Sequence, residues 1–133
     1  MKNITYVGVH VRRTDYIGYL KRKFNASAVK LNYFLRHINV FLNKYQRVLF
    51  VVVSDDPKWC EHELRCDDVV AMKTNSTIQD LAIMTAYNDS IIDYDTYGLW
   101  RAIMSGGDTI FYNLTSNGAV ALVSLLANWC IVR

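Results

Sequence analysis

The sequence predicts an α/β fold, a parallel sheet with helices on both faces, and three observations carry that prediction. Short β-branched runs alternate along the chain with segments of helical period. The run Val48–Val53 holds six apolar residues without polar alternation, which suits a parallel strand covered on both faces. The alternation continues without repeat, linker or low-complexity stretch, as crossover connections require. With 133 residues, 52% hydrophobic and 20% charged, the chain has the size and composition of one globular domain. Disordered and fibrous classes are excluded.

Taken in order, Tyr6–Val11 is a short apolar strand. From Ser27 to Lys44, Leu31, Phe34, Leu35, Ile38, Phe41 and Leu42 form the stripe of a helix packed on one face. After the strand Val48–Val53, Ser54-Asp55-Asp56-Pro57 offers N-cap residues followed by Pro at the first helical position, so a helix through Leu64 is expected. Asp68–Val70 reads as a short strand. Ser76 or Thr77 caps a helix through Tyr87, with Ile78, Leu81, Ala82 and Met84 inward. Ser90–Ile92 is a strand, Thr96–Met104 a helix and Thr109–Tyr112 a strand, and Gly118–Asn128 is expected as a last helix. Gly106-Gly107 most simply ends the helix before Thr109.

The charge is uneven. Residues 1–47 hold ten Lys/Arg against the single acid Asp15, whereas residues 48–133 hold five Lys/Arg against eleven Asp/Glu. That asymmetry suggests a polyanionic ligand met by the first third, either a nucleic acid or a nucleotide phosphate. Three cysteines, Cys60, Cys66 and Cys130, are too few for a disulfide scaffold and lack the paired spacing of a zinc site. Cys60 and Cys66 are close enough in sequence for a local bridge, although small buried residues explain them equally well. Five N-x-S/T sequons, at Asn3, Asn25, Asn75, Asn88 and Asn113, favour the lumen of the secretory pathway. Met1 is followed at once by strand-like residues, so no signal peptide is expected within this stretch. Thr109–Val132 is a 24-residue uncharged run, but Asn113–Gly118 breaks its first half. The apolar remainder, Ala119–Val132, is shorter than the ~20 residues a bilayer core needs. A buried terminal helix is expected there.

Parallel α/β sheets bind ligands at the carboxyl ends of their strands. The stretches to search are therefore His10–Tyr16, Ser54–Asp56, Asp93–Tyr97 and Tyr112–Thr115, and polar residues cluster in them. In the first, Arg12 and Arg13 leave a strand and can give bidentate donors to phosphate oxygens. His10 and Arg12 alternate with Val9 and Val11 and share one face. Asp15 is placed to pair with Arg13. A strand end with solvated charges explains the same residues about as well. In the second, one of Asp55 and Asp56 is accounted for as a helix cap, and the other can accept hydrogen bonds from a base or sugar. In the third, Asp93-Tyr94-Asp95 is a D-x-D, a pattern that can hold a divalent metal against a pyrophosphate. The backbone amides and hydroxyl of Thr96, Tyr97 and Gly98 can receive a phosphate at a helix N-terminus. The plainer account makes Asp or Thr a cap, and Trp100 is expected in the core.

Together, residues 8–16 (GVHVRRTDY), 53–56 (VSDD), 80–85, 91–100 and 106–110 (GGDTI) resemble the α-1,2-fucosyltransferase family of galactoside 2-α-L-fucosyltransferases over roughly residues 5–115. The shorter H-x-R-R-x-D element also resembles the α-1,6-fucosyltransferases. The resemblance implies a Rossmann-like domain corresponding to the donor-binding, C-terminal half of a two-domain GT-B enzyme of the Golgi lumen. It implies inverting transfer of L-fucose from GDP-fucose to a galactose 2-hydroxyl of a glycan, with no metal and no other cofactor. By the same resemblance, Arg12 meets the β-phosphate and is the residue active in catalysis, while Arg13 and Asp15 shape the pocket. His10 and one of Asp55/Asp56 face the guanine, and Thr96 and Tyr97 close the phosphate side. Arginine chemistry agrees, because a fixed guanidinium can stabilise a departing diphosphate as a metal does elsewhere. Asp95 stands where the family usually has a small residue, and after about Ser116 an apolar stretch replaces the family's Pro- and Trp-containing ending. Only nine residues precede His10, so the likeness is to the donor half alone, with any membrane anchor outside it.

The rival expectation is a non-catalytic module that binds RNA or another polyanion through Arg12, Arg13, Lys21, Arg22 and Lys23, with Tyr16, Tyr19 and Phe24 for stacking. A third is a truncated, inactive product.

Overall fold

The computed structural model describes residues 3–73, 76–93, 96–112 and 129–132. Six strands, β1 (Thr5–Val11), β2 (Val48–Ser54), β3 (Val69–Ala71), β4 (Asp89–Ile92), β5 (Thr109–Tyr112) and β6 (Trp129–Val132), form one sheet in the order β3-β2-β1-β4-β5-β6. Every pairing is parallel. The described helices are α1 (Thr14–Phe24), α2 (Leu31–Lys44), α3 (Pro57–Glu63), α4 (Thr77–Thr85) and α5 (Thr96–Ser105).

Two apolar clusters occupy the two faces of the sheet. On one, Val7, Val9 and Val11 of β1, Val48, Phe50 and Val52 of β2, Ile91 and Ile110 pack with Phe34, Ile38 and Phe41 of α2 and with Cys60 and Leu64. On the other, Ile92 and Phe111 pack with Leu99 and Ala102 of α5. Neighbouring residues such as Ile91 and Ile92 thus enter opposite clusters, the period-two consequence of a strand covered on both sides. That is the physical content of the Rossmann-like, doubly covered sheet expected from the sequence. It also explains the unbroken apolar run of β2, where Val51 and Val53 are as buried as Val52.

Most elements lie where the periodicity puts them. Asp56 caps α3 by accepting from Trp59 N–H at 3.2 Å, with Pro57 in the first turn. Ser76 caps α4 through Gln79 N–H at 3.2 Å. Gly106, at φ 79°, ends α5 in the left-handed region that glycine adopts without strain. Gly107 approaches β4 so closely that a Cβ there would lie 1.4 Å from the Asn88 carbonyl oxygen.

Several expectations are corrected. Residues 14–24 form a helix, and the long helix begins at Leu31 rather than Ser27. The end of the apolar run Ala119–Val132 is a strand, because Trp129–Val132 pairs with Thr109–Tyr112. The expected helix Gly118–Asn128 lies outside the described residues. On α2, Tyr33 and His37 are buried while Leu35 is exposed, so the inward stripe is rotated toward the aromatic side. The Tyr33 hydroxyl donates to the carbonyls of Ile92 (2.6 Å) and Ile110 (3.3 Å), which gives this polar tip partners inside the core. Ile78 and Ala82 of α4 face outward, and Trp100 is 57% exposed rather than in the core. All three cysteines are free; Cys60 alone is buried, so no local bridge forms and Cys66 and Cys130 are not core residues.

Candidate functional site

Strand order reverses between β1 and β4, since the chain runs outward through β2 and β3 before returning to β4 on the other side of β1. Adjacent strands then lead their connections in opposite directions at their carboxyl ends, and a crevice opens there. His10, Arg12, Arg13, Asp55, Asp56 and Asp93 all lie at this pole, so the sheet brings together residues up to 83 positions apart.

Asp93 is the deepest of them. It is 3% exposed, and its Oδ2 accepts from the Arg12 backbone N–H at 2.7 Å. Its Oδ1 stands 3.8 Å from His10 Nδ1, in a pair whose side chains are 5% and 4% exposed. The carboxylate thereby joins the end of β4 to the turn leaving β1. It is engaged by the protein rather than presented outward as one half of a D-x-D. Asp95 lies outside the described residues. Among the described residues, no group of three His, Cys, Asp or Glu is arranged to hold a metal ion.

Asp55 does for α1 what Asp56 does for α3. Its Oδ1 accepts from Arg13 N–H at 2.8 Å and its Oδ2 from Thr14 N–H at 3.1 Å, and the Thr14 hydroxyl donates to the same carboxylate. No side chain of α1's own caps its first turn. The open amides of that N-terminus, and the positive end of its dipole, are satisfied from the end of β2. Thr14, to which the sequence assigns no role, joins the site in this way. Its signal was its position, one residue before Asp15 at the head of an unrecognised helix.

The two arginines part company. Arg12 points its guanidinium at Asp15, with NH2 at 2.9 Å and 3.1 Å from the two carboxylate oxygens, and at Asp55, with Nε at 3.4 Å. Arg13 turns the other way, its Nε 3.7 Å from Asp56 and its guanidinium carbon 4.0 Å from the centre of the Trp59 ring. The expected Asp15–Arg13 pair is therefore replaced by Asp15–Arg12. Arg12 stands just ahead of the N-cap Arg13, so the Arg12–Asp15 pair spans the entry of the chain into α1. Arg13 is fixed by stacking and a capping carboxylate, Arg12 by its backbone and an exposed partner. Side-chain exposure is 32% for Arg12 and 73% for Asp15, so that ion pair is wet and exchangeable.

Thr96 and Tyr97 begin α5, directly after the end of β4, and their side chains lie outside the described residues. The stretch Tyr112–Thr115 leaves the described residues after Tyr112. The formal charges of Arg12, Arg13, Asp15, Asp55, Asp56 and Asp93 sum to −2, so the basic excess of the first third is balanced locally by acids from the second. Uncompensated basic side chains lie instead on α1, where Lys21, Arg22 and Lys23 are exposed. A cavity of about 500 Å³, lined by Asn32, Leu35, Leu42, Leu64, Cys66 and Val69, lies between α2 and the connection from α3 to β3, and no residue of the charged pole lines it.

The model of Glycosyl transferase family 11 matches residues 1–129. The chain belongs to glycosyl transferase family 11. Among curated proteins, it is 33% identical over 121 residues to the galactoside 2-alpha-L-fucosyltransferase SEC1 of Bos taurus, covering 86% of this chain and 33% of that protein. It is 35% identical over 112 residues to the galactoside alpha-(1,2)-fucosyltransferase 2 of Bos taurus, covering 80% and 33%. The chain thus spans about a third of the length of these family 11 relatives. No solved structure matches it. The family match bears out the resemblance drawn from the sequence and gives the charged pole, with its two arginines, the setting of a glycosyltransferase domain.

Proposed function

We propose that this chain is the donor-binding half of a galactoside α-1,2-fucosyltransferase that takes GDP-fucose at the carboxyl pole of its sheet and passes L-fucose, with inversion, to the 2-hydroxyl of a terminal galactose in the Golgi lumen. One observation carries the reading: Arg12, its backbone amide anchored to buried Asp93, carries a partly exposed guanidinium at the β1/β4 switch point. In the transfer, the galactose 2-hydroxyl gives its proton to a general base and its oxygen bonds to the anomeric carbon of fucose as the bond from that carbon to the β-phosphate oxygen breaks. The electron pair departs with GDP. Charge grows on the diphosphate as it leaves, and a guanidinium held in place beforehand stabilises that charge without reorganising. Arg12 has this role, so no divalent metal is needed for it.

In the free protein Asp15 occupies the guanidinium, and a diphosphate, with more charge and more acceptors, displaces this exposed carboxylate. Arg13, locked between Trp59 and Asp56, keeps the turn in shape. His10 and one of Asp55 and Asp56 border the guanine side, and Thr96 and Tyr97, at the head of α5, border the phosphates. The acceptor is held by parts of the enzyme outside this chain.

Calorimetry with GDP and GDP-fucose tests the reading. Arg12→Ala removes a charge-assisted, two-pronged contact of roughly 1.5–3 kcal/mol, so affinity falls about tenfold to hundredfold. Equal GDP affinity in both proteins overturns the assignment. The polyanion alternative is favoured by one feature, the exposed Lys21, Arg22 and Lys23 of α1. It requires RNA binding that weakens steeply with salt and that GDP-fucose does not displace.

A further inference from the structure

Helix α1 carries a feature that donor binding leaves unused. Leu20 is its one fully buried residue, while Ile17 and Tyr19 are 43% and 37% exposed. Tyr16 stacks on Tyr19 at 5.3 Å between centroids, and Phe24 meets Tyr19 edge-on at 6.1 Å. This aromatic surface ends at Asn25, the one described non-glycine residue with positive φ, at 50°. Asparagine tolerates that region because its side chain is short and polar. Asn25 N–H donates to Lys21 O at 3.1 Å and Ala26 N–H to Leu20 O at 3.2 Å, so the helix closes here and the chain turns away. The side chain is exposed; its Oδ1 accepts from Lys21 Nζ at 2.9 Å, which leaves Nδ2 as the outward group.

Asn25-Ala26-Ser27 is a sequon. Residues 26–30 belong to no helix or strand, and Ser27 is exposed, so the acceptor amide and the hydroxyl two residues on are both reachable in a surface loop. The other described sequons differ. Asn88 accepts from Tyr6 N–H at 3.1 Å, and its hydroxyl residue, Ser90, is fully buried in β4. Asn3 is followed by Thr5, which is already paired into the sheet through Arg47 O. Asn75 and Asn113 lie outside the described residues.

We propose that Asn25 is an acceptor site for N-linked glycosylation. An oligosaccharide passes from a lipid-linked diphosphate donor to Nδ2. The new bond joins Nδ2 to the anomeric carbon, the bond from that carbon to the phosphate oxygen breaks, Nδ2 loses a proton, and the lipid diphosphate leaves. Eleven residues of helix place Asn25 about 16 Å from Thr14, clear of the charged pole. The inference rests on the lumenal part of the proposed function.

The test translates the full chain into microsomes behind a cleavable signal sequence and counts glycosidase-sensitive bands. One glycan is expected to disappear in Asn25→Gln and equally in Ser27→Ala, with GDP affinity unchanged in both. An unchanged glycan number in either variant overturns the site. A glycan on the microsomal product but none on protein from its native source overturns the lumenal reading and, with it, the modification in the cell, while GDP binding judges the donor site separately.

Discussion

The two ends of the sheet use similar residues to opposite purpose. At the amino end, Tyr45 donates to Asp89, Lys44 pairs with Asp108, and Asp108 N–H donates to Asp89 Oδ1 at 2.8 Å. Burial first and the Asp89 carboxylate second push the Tyr45 hydroxyl up, and the hydrogen bond to Asp108 pushes Lys44 up. Donor and acceptor are matched there, and β4, β5 and α2 are held in register. At the carboxyl end the carboxylates are engaged by backbone amides, Asp93 by Arg12, Asp55 by Arg13 and Thr14, and Asp56 by Trp59. The Arg12 guanidinium lies between exposed Asp15 and the helix-capping carboxylate of Asp55. A carboxylate that caps an amide builds structure, whereas a guanidinium whose counterion can leave is prepared for a ligand.

Breaking the amino end should cost the fold and not the ligand. The largest effect is expected at Gly107, where an added Cβ collides with the Asn88 backbone at 1.4 Å and cannot be relieved by a side-chain rotation. Gly107→Ala should lower stability by more than about 3 kcal/mol, in the range of severe core damage, and broaden or abolish the cooperative melt. A variant that melts as the parent does would show that the β4–α5 approach is looser than described. Asp93 comes next because it serves both structure and site. Asp93→Ala leaves the Arg12 amide without its carboxylate and should cost about 1–3 kcal/mol in urea unfolding, with weaker GDP binding. Asp93→Asn keeps an acceptor for that amide and should recover most of the stability and most of the GDP affinity. Equal affinity in the two variants would remove Asp93 from the positioning of Arg12. Lys44→Met, at an exposed ion pair, should cost under about 1 kcal/mol and leave GDP affinity unchanged.

The same contrast explains what the sequence disclosed. β2 was legible because burial on both faces leaves an unbroken apolar run, and α3 because its cap and Pro57 are local. α1 was not, since its first turn is capped by Asp55 from another strand and its buried surface is mainly Leu20. Asp15 lies in the first turn of that helix, and its partner Arg12 stands two residues ahead of the helix, set by the path from β1 into α1. Trp129–Val132 was read with the apolar residues before it because its strand character depends on pairing with β5. Trp100 and Ile78 were placed inside on hydrophobicity alone, which says nothing of the face they occupy. At the site, Arg12, Asp55 and Asp56 could be found as polar residues at strand ends. The burial of Asp93 beneath Arg12 could not, because it needs the β1–β4 neighbourhood that only the topology supplies.

The smallest effect is a pH dependence on the α2 side, far from the charged pole. Burial, and secondarily the charge of Arg36, hold the His37 imidazole below its usual value, against a hydrogen bond to the Tyr33 carbonyl that raises it. The unfolded chain takes up this proton near pH 6.5 while the native state still resists it. Below pH 6.5 the unfolded state therefore binds more protons, and stability falls with pH until the native value is passed. Above pH 6.5 the contribution is complete and flat. His37→Gln removes this component. Urea midpoints at pH 7.5, 6.5 and 5.5 should show a larger loss for the parent than for the variant over the last interval. Equal losses would mean that the imidazole protonates as readily in the folded protein as in the unfolded one, and that the α2 face admits water where the carboxyl pole was expected to be the wetter of the two.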